Sequence, residues 1–109
     1  MTPAVREIAL AAATRIAGSA AEATLPADVE AELAHEEGTP RAYADPVSIA
    51  SLIVAIVSLA WNIYSQLRRS PQELAGEVRA QWAQDHGMDE QASTVIDVVA
   101  EETVKYSER

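Results

Sequence analysis

The side chains that could carry out catalytic chemistry are few in this sequence, and they stand far apart. His35 and His86 are the two histidines, and neither has a second ligand at the spacing of a metal site. The chain contains no cysteine, so thiolate ligands, thiol nucleophiles and disulfides are excluded. The sequence therefore predicts neither a bound metal nor a cofactor.

Asp85 directly precedes His86, and a carboxylate beside an imidazole can orient it as a general base. Adjacent residues on a helix point about 100° apart, however, so Asp85 cannot readily align the ring of its neighbour. A histidine near the C-terminus of a helix is also favoured by the helix dipole alone. We therefore interpret the two residues as polar side chains at the end of a helix.

Carboxylates also stand in adjacent pairs, at Glu36-Glu37, Asp89-Glu90 and Glu101-Glu102. No apolar surroundings that would raise the pKa of an acid catalyst are evident for them, and solvated helix faces and helix starts account for all three. Glycine-rich phosphate loops and nucleophile motifs are absent from the sequence. We predict that the chain is not an enzyme.

The composition favours an all-α protein of one domain. The chain has 109 residues with four glycines, five prolines, two tryptophans and no phenylalanine, so its core must be built from small and aliphatic side chains. The net charge of −9 repels phosphate backbones, and we expect no nucleic-acid partner. The N-terminus lacks the apolar run of a secretory signal, so we expect a cytoplasmic protein, with membrane association as the alternative.

Prolines that follow capping residues divide the chain into about five helices. Asp45-Pro46 and Ser70-Pro71 each combine an N-cap with a proline at the first helical position. We predict an acidic helical hairpin, a linker, a hydrophobic central helix and a C-terminal helical hairpin, at residues 1–37, 38–45, 46–69 and 71–107. All four segments belong to a single domain, residues 1–109.

The C-terminal hairpin has an apolar stripe on each of its two helices. Glu73 completes a capping box with Ser70 at the start of the hairpin, and Gly87 ends its first helix. Trp82 and Val99 lie on the two stripes that flank this glycine, so we predict that both are buried and close to each other. Such a hairpin needs a further helix to cover its apolar side.

Residues 46–67 carry no charge, and their small and polar side chains fall in a stripe. The members follow one another at spacings of three and four, and they are Ser48, Ser51, Ala55, Ser58 and Asn62. This spacing puts them on one side of a helix, where a partner helix can pack closely and polar groups can hydrogen-bond across the contact. We predict that the stripe is a helix-packing interface, within one chain or between chains.

Three interpretations of the hydrophobic helix remain open. It can be the buried centre of a bundle, it can associate with a copy of the chain or a partner protein, or it can cross a membrane. In a membrane, interfacial anchors would stand at one end of the helix, namely Trp61, Tyr64, Arg68 and Arg69. Insertion is only marginal because serines and Asn62 offset its apolar residues, so a soluble bundle is the expected starting state.

Arg41 stands alone in the predicted linker. It is the only lysine or arginine between Arg15 and Arg68, and its neighbours include Gly38 and Pro40. An exposed arginine in such a loop is a candidate protease-sensitive site. Cleavage there would free the hydrophobic helix from the N-terminal hairpin, and an exposed apolar run of that length must aggregate, oligomerise or enter a membrane.

A hydrophobic helix led by Asp-Pro and a polar two-helix tail are formed by "DPVSIASLIVAIVSLAWNIYSQLRRSP", "ELAGEVRAQWAQDHG" and "STVIDVVAEETVKY". Over residues 45–107 this pattern resembles a type of small module associated with actinobacterial proteins. Modules of this kind are similar to the effector-associated adaptor domains of bacterial conflict, or defence, systems. The resemblance implies an interaction or effector role with homotypic association, and it brings no catalytic residues.

These observations predict a function in association rather than in catalysis. We expect the hydrophobic helix to bind a copy of the chain or a partner protein, in a bacterial defence system with membrane-directed activity once that helix is released. The alternative is a constitutive, small, single-span membrane protein.

Overall fold

The fold is given by a computed structural model, which describes residues 3–20, 26–27, 29–31, 49–66, 68, 70–87 and 89–108. These residues form five helices and no strand. The helices are α1 (Pro3–Ala20), α2 (helical at 26–27 and 29–31), α3 (Ile49–Gln66), α4 (Pro71–His86) and α5 (Glu90–Ser107). The all-α prediction with about five helices is confirmed. The predicted linker 38–45, with Arg41, lies outside the described residues.

The hydrophobic helix α3 and the last helix α5 form the inner pair of the bundle. α1 packs against α3 and α5, and α4 packs against the same two helices. α3 and α5 also contact each other, whereas the described residues of α1 and α4 do not meet. The predicted hydrophobic central helix is thus confirmed in α3, and α5 shares its central position.

The core is a continuous cluster of aliphatic side chains, as expected for a chain without phenylalanine. The largest fully buried side chains include Ile8, Ile53, Ile56, Leu74 and Ile96. α1 contributes mostly alanines to this cluster. Small side chains let helix axes approach closely, so the core gains its contacts from close approach rather than from large rings.

α4 begins at the strongest local signal in the sequence. Ser70 is its N-cap, and the Ser70 Oγ accepts a hydrogen bond from the Glu73 N–H at 3.3 Å. The Glu73 Oε1 accepts one in return from the Ser70 N–H at 3.4 Å. Pro71 occupies the first turn, where its missing N–H costs no hydrogen bond. The predicted capping box is confirmed.

A glycine turn joins α4 to α5. Gly87 has a φ of 74°, in the left-handed region that glycine adopts without a steric penalty, and its N–H donates to the Ala83 carbonyl at 3.1 Å. Asp89 is the N-cap of α5 and accepts a hydrogen bond from the Ala92 N–H at 2.7 Å. α4 and α5 lie against each other, which confirms the C-terminal hairpin.

Arg79 sets the register of this hairpin. Its Nη2 donates to the Ser93 Oγ at 3.0 Å and to the Asp97 Oδ1 at 2.6 Å, so it lies opposite the residues between them. Trp82 and Val99 are both buried, as predicted, and their proximity stays a prediction.

Replacing Ser70 with alanine should lower the free energy of unfolding by about 1 kcal/mol, because the Glu73 N–H loses its acceptor. The matched control is Ser65→Ala, where the exposed hydroxyl donates to the Asn62 carbonyl within α3. That change should alter stability by less than about 0.5 kcal/mol. Urea unfolding followed by circular dichroism measures both, and equal losses in the two variants would contradict a capping role for Ser70.

Candidate functional site

α3 is the most apolar of the four long helices, and one of its faces is open to solvent. Ser58 and Asn62 are exposed, and Ala55 and Leu59 are half-buried. Their spacings of three, one and three residues place them on one side of the helix. We call Ala55, Ser58, Leu59 and Asn62 the open face of α3. It carries no charge, although the protein has a net charge of −9.

The open face coincides with the C-terminal half of the predicted small stripe. Ser51 near the start of the helix is buried, Ala55 is half-buried, and Ser58 and Asn62 are exposed. Ser48 lies outside the described residues. Of the stripe members that the structure describes, the bundle buries only Ser51, and a contact between chains along the others stays a prediction.

Two serines near or on the open face form hydrogen bonds within α3. The Ser58 Oγ donates to the Val54 carbonyl at 3.0 Å, and the Ser65 Oγ donates to the Asn62 carbonyl at 3.0 Å. These bonds run along the helix and not across to a neighbouring helix. Each hydroxyl oxygen keeps its capacity to accept a hydrogen bond from a group that docks on this side.

The aromatic side chains predicted as membrane anchors pack on the C-terminal end of α5. The Trp61 ring lies edge-to-face with Tyr106, at 5.9 Å between centroids, and it stacks with Tyr64 at 6.3 Å. Tyr64 is buried, and its hydroxyl donates to the Ser107 Oγ at 3.1 Å. These contacts fasten the C-terminal ends of α3 and α5 together at one end of the bundle.

The arginines of the predicted anchor set extend this aromatic group. Arg68 is exposed, and its Cζ lies 6.0 Å from the centroid of the Tyr64 ring, at the limit of a cation–π contact. Arg69 lies outside the described residues. Trp61 and Tyr64 thus have partners within the chain, and the use of these residues at a membrane surface stays a prediction.

A buried carboxylate links α1 to α5. The Glu102 side chain is 6% exposed, and its Oε2 accepts a hydrogen bond from the Arg15 Nη1 at 2.9 Å. The Arg15 Nη2 lies 2.9 Å from the Glu101 Oε1, and the Lys105 Nζ lies 3.9 Å from the Glu102 Oε2. The hydrogen bonds to Glu102 and then to Glu101 raise the pKa of Arg15 above its ordinary value. Among the charged residues that the structure describes, only Glu102 is buried.

The expectation of a solvated Glu101-Glu102 pair is therefore wrong for Glu102, although Glu101 is exposed. Val95, Val99 and Glu102 follow one another at spacings of four and three, so the apolar periodicity of α5 already placed Glu102 on the buried face. Its partner Arg15 lies 87 residues away in the sequence. No local pattern indicates a contact at that separation.

His86 packs on Trp82, one turn earlier in α4. The two rings are stacked with their centroids 4.0 Å apart, and Asp85 is exposed. This agrees with the interpretation of Asp85 and His86 as residues of a helix end. Among the described residues, no group of three or more metal-ligating side chains is placed to hold an ion.

A shallow open depression of about 210 Å³ lies between the first turn of α4 and the middle of α5. The residues that line it are Pro71, Gln72, Ala75, Asp97 and Glu101. Its two carboxylates are already paired, Asp97 with Arg79 at 2.6 Å and Glu101 with Arg15 at 2.9 Å. The depression therefore has the character of a solvated groove between two helices.

Among the described residues, α3 is the one helix long and apolar enough to cross a membrane. This follows from length and composition alone, and the core helix of a soluble protein passes the same test. In the bundle, 56% of the residues of α3 are buried. The apolar side chains of α3 are thus mostly buried within the chain, except along the open face.

Replacing Arg15 with alanine should lower the free energy of unfolding by about 1–3 kcal/mol, because the buried Glu102 carboxylate loses its closest cation. Arg6→Ala is the control on the same helix. Arg6 pairs with Glu30 at 2.6 Å, but both side chains are about half exposed, so its loss should cost about 0–1 kcal/mol. Thermal and urea unfolding measure both variants. Adding Glu102→Gln to Arg15→Ala should recover part of the loss; no recovery would contradict this account of the buried charge.

Comparison with known proteins finds no relative of this chain. No protein-family model matches the sequence, and neither a curated protein nor a solved structure matches it. What the chain does must therefore be inferred from its own residues and contacts.

Proposed function

We propose that the protein is a non-enzymatic helical interaction module, which associates through the open face of α3 with a second copy of the chain or with a partner protein. The observation that carries the proposal is the position of this face. It leaves one side of α3, the most apolar of the long helices, exposed to solvent, whereas the other sides of α3 are buried against α1, α4 and α5. A side chain such as Leu59 gains stability when a partner removes it from water.

The charge of the protein favours association at this face over other parts of its surface. With a net charge of −9, two copies repel each other wherever acidic side chains meet. The open face has no charged member, and the exposed Ser65 and Gln66 that continue it are uncharged as well. Two copies can therefore approach along α3 with less repulsion than elsewhere.

The small side chains of the open face support a close but reversible contact. Ala55 and Ser58 keep the surface flat, so that the backbone of a second helix can come near and its polar groups can reach Asn62. One helical face is smaller than the roughly 800 Å² that each partner buries in a stable complex. We therefore expect a concentration-dependent equilibrium and not a permanent dimer.

The biological setting that we propose is a bacterial defence system. The support is the resemblance of residues 45–107 to effector-associated adaptor modules, which implies homotypic association. In this setting the protein brings effectors together by contact. Genes beside its own that encode proteases or signalling ATPases would support this setting, and an unrelated neighbourhood would count against it.

The second candidate function is that of a small single-span membrane protein. It is favoured by the length and apolar character of α3. It requires that Trp61 and Tyr64 give up their contacts with Tyr106 and Ser107, and that the core sides of α1, α4 and α5 lose their cover. The folded bundle opposes insertion by these contacts, so membrane binding is expected only after the helix is released.

Ser58→Glu should shift the protein toward the monomer, because it places a carboxylate in the centre of the open face. The side chain is exposed, so the melting temperature should change little. Sedimentation equilibrium over a range of concentrations measures the shift. Thr94→Glu on α5 is the control, since Thr94 is also exposed and its hydroxyl donates to the Glu90 carbonyl at 3.0 Å. A wild type that is monomeric at every concentration, with no partner captured through α3, would contradict the proposal.

Removal of residues 1–41 should convert the protein into a membrane-binding form, because it strips α1 and α2 from the bundle and uncovers α3. The measurement is leakage of dye-filled vesicles and sedimentation with them, for full-length protein and for residues 42–109. Full-length protein should remain in the supernatant without detergent and cause no leakage. If residues 42–109 are monomeric and inert toward lipid, release of α3 has no membrane activity.

A further inference from the structure

α1 can leave the bundle without breaking the contacts among the other three long helices. α3, α4 and α5 contact one another pairwise, and α1 lies against α3 and α5. Its departure would break its exposed ion pair with Glu30 of α2 but would keep the three other long helices in contact. The sides of α3 and α5 that face α1 would form an apolar groove the width of one helix.

The apolar contact that holds α1 is small for a helix of 18 residues. Its buried side chains are Ala4, Val5, Ile8, Ala9, Ala12, Ala13 and Ile16. More than half of them are alanines, whereas α3, which has the same length, buries mainly valine, leucine and isoleucine. Hydrophobic stabilisation is proportional to the area removed from water, so α1 is held less strongly than α3.

The groove requires a positive charge from whatever helix covers it. Glu102 is buried there, and its closest cation is Arg15 of α1, at 2.9 Å. Lys105, on α5 itself, stands at 3.9 Å. A buried carboxylate without a close cation is strongly unfavourable. A helix that occupies the groove must therefore present small apolar side chains and one cation, and α1 of a second copy presents both.

We propose that α1 exchanges between copies, so that α1 of one chain docks on α3 and α5 of another. With α2 kept helical, the connection from Ala20 to Ile49 can still span roughly 90 Å, against a longest extent of 30 Å for the bundle, so the helix can reach. The exchanged contact contains the same residues as the contact within one chain, including Arg15 with Glu102. The proposal rests on the self-association proposed above and assigns it a second surface, distinct from the open face.

Opposite charge changes at the two ends of the ion pair test the exchange. Arg15→Glu adds a third carboxylate beside Glu101 and Glu102, and Glu102→Lys places a new cation between Arg15 and Lys105. Each variant therefore weakens the docking of α1 on its own chain, although Arg15 keeps Glu101 in the second. When α1 exchanges in an equimolar mixture, residue 15 of the first variant pairs with residue 102 of the second, and Arg15 of the second pairs with Glu102 of the first. With Ser58→Glu in both chains to disable the open face, light scattering should show a doubled mass in the mixture alone, with a melting temperature above that of either variant.

The double variant Arg15→Glu/Glu102→Lys restores the pair within one chain, so it should fold and self-associate as the wild type does. If the double variant folds and the mixture has the mass and melting temperature of its separate components, the exchange proposal is overturned. Failure of the open-face proposal is distinguishable, because Ser58→Glu placed in both variants should leave the mixed dimer intact.

A second measurement uses chains with the native ion pair and so does not depend on how the charge variants fold. The natural sequence has no cysteine, so Thr14→Cys on α1 and Gln81→Cys on α4, both at exposed positions, each accept one fluorophore. One population carries the donor fluorophore on residue 14 and the other carries the acceptor on residue 81. Ser58→Glu is present in both populations to disable the open face. Energy transfer that rises after mixing supports exchange; its absence after long incubation just below the melting temperature overturns it.

Discussion

The need to bury the uncharged helix α3 determines how the helices of this protein are arranged. α3 has 18 residues without a charged side chain, and each large apolar side chain on it contributes about 1.5–3 kcal/mol when it is buried. α1, α4 and α5 each supply one apolar side, and all three lie against α3. α5 becomes the second inner helix because its own buried side chains, including Val95, Ile96 and Val99, also face the middle of the bundle. The acidic side chains of the described residues lie mainly on the outer surfaces, with Glu102 as the buried exception.

In this core without phenylalanine, the described tryptophan and tyrosine rings lie at the two ends of the bundle. The middle of the bundle is filled by isoleucine, valine and alanine, which keep the helices close together. Trp61, Tyr64 and Tyr106 group at the end where α3 and α5 finish, and Trp82 stacks with His86 beside the turn at the other end. Aromatic side chains thus close both ends of an aliphatic core. This placement also gives the hydroxyl of Tyr64 a partner near the surface, in Ser107.

Local chemistry made much of the fold predictable. Three features depend on only a few neighbouring residues each, and the structure has all of them: the capping box at Ser70, the glycine that ends α4 and the charge-free run of α3. The candidate site was less predictable, because periodicity tells which residues share a face but not whether another helix covers it. The small stripe is buried at Ser51 and exposed at Ser58 for this reason. Amphipathic rings near a helix end suit a membrane interface and a bundle end equally well, so Trp61 alone could not distinguish the two.

In the association proposed above, the same apolar surface would serve folding and binding, and the two uses would compete. Every side chain of α3 that α1 covers stabilises the monomer and is lost to a partner, whereas every exposed one is open to a partner and adds little to the fold. The buried Glu102 adds selectivity, since a replacement for α1 without a cation would leave that carboxylate poorly compensated. Long-range repulsion between acidic surfaces then suppresses contacts that do not use the charge-free face or the α1 groove. The proposed association can thus be specific for two reasons: α3 is left exposed only along the open face, and α1 is held less strongly than the inner helices.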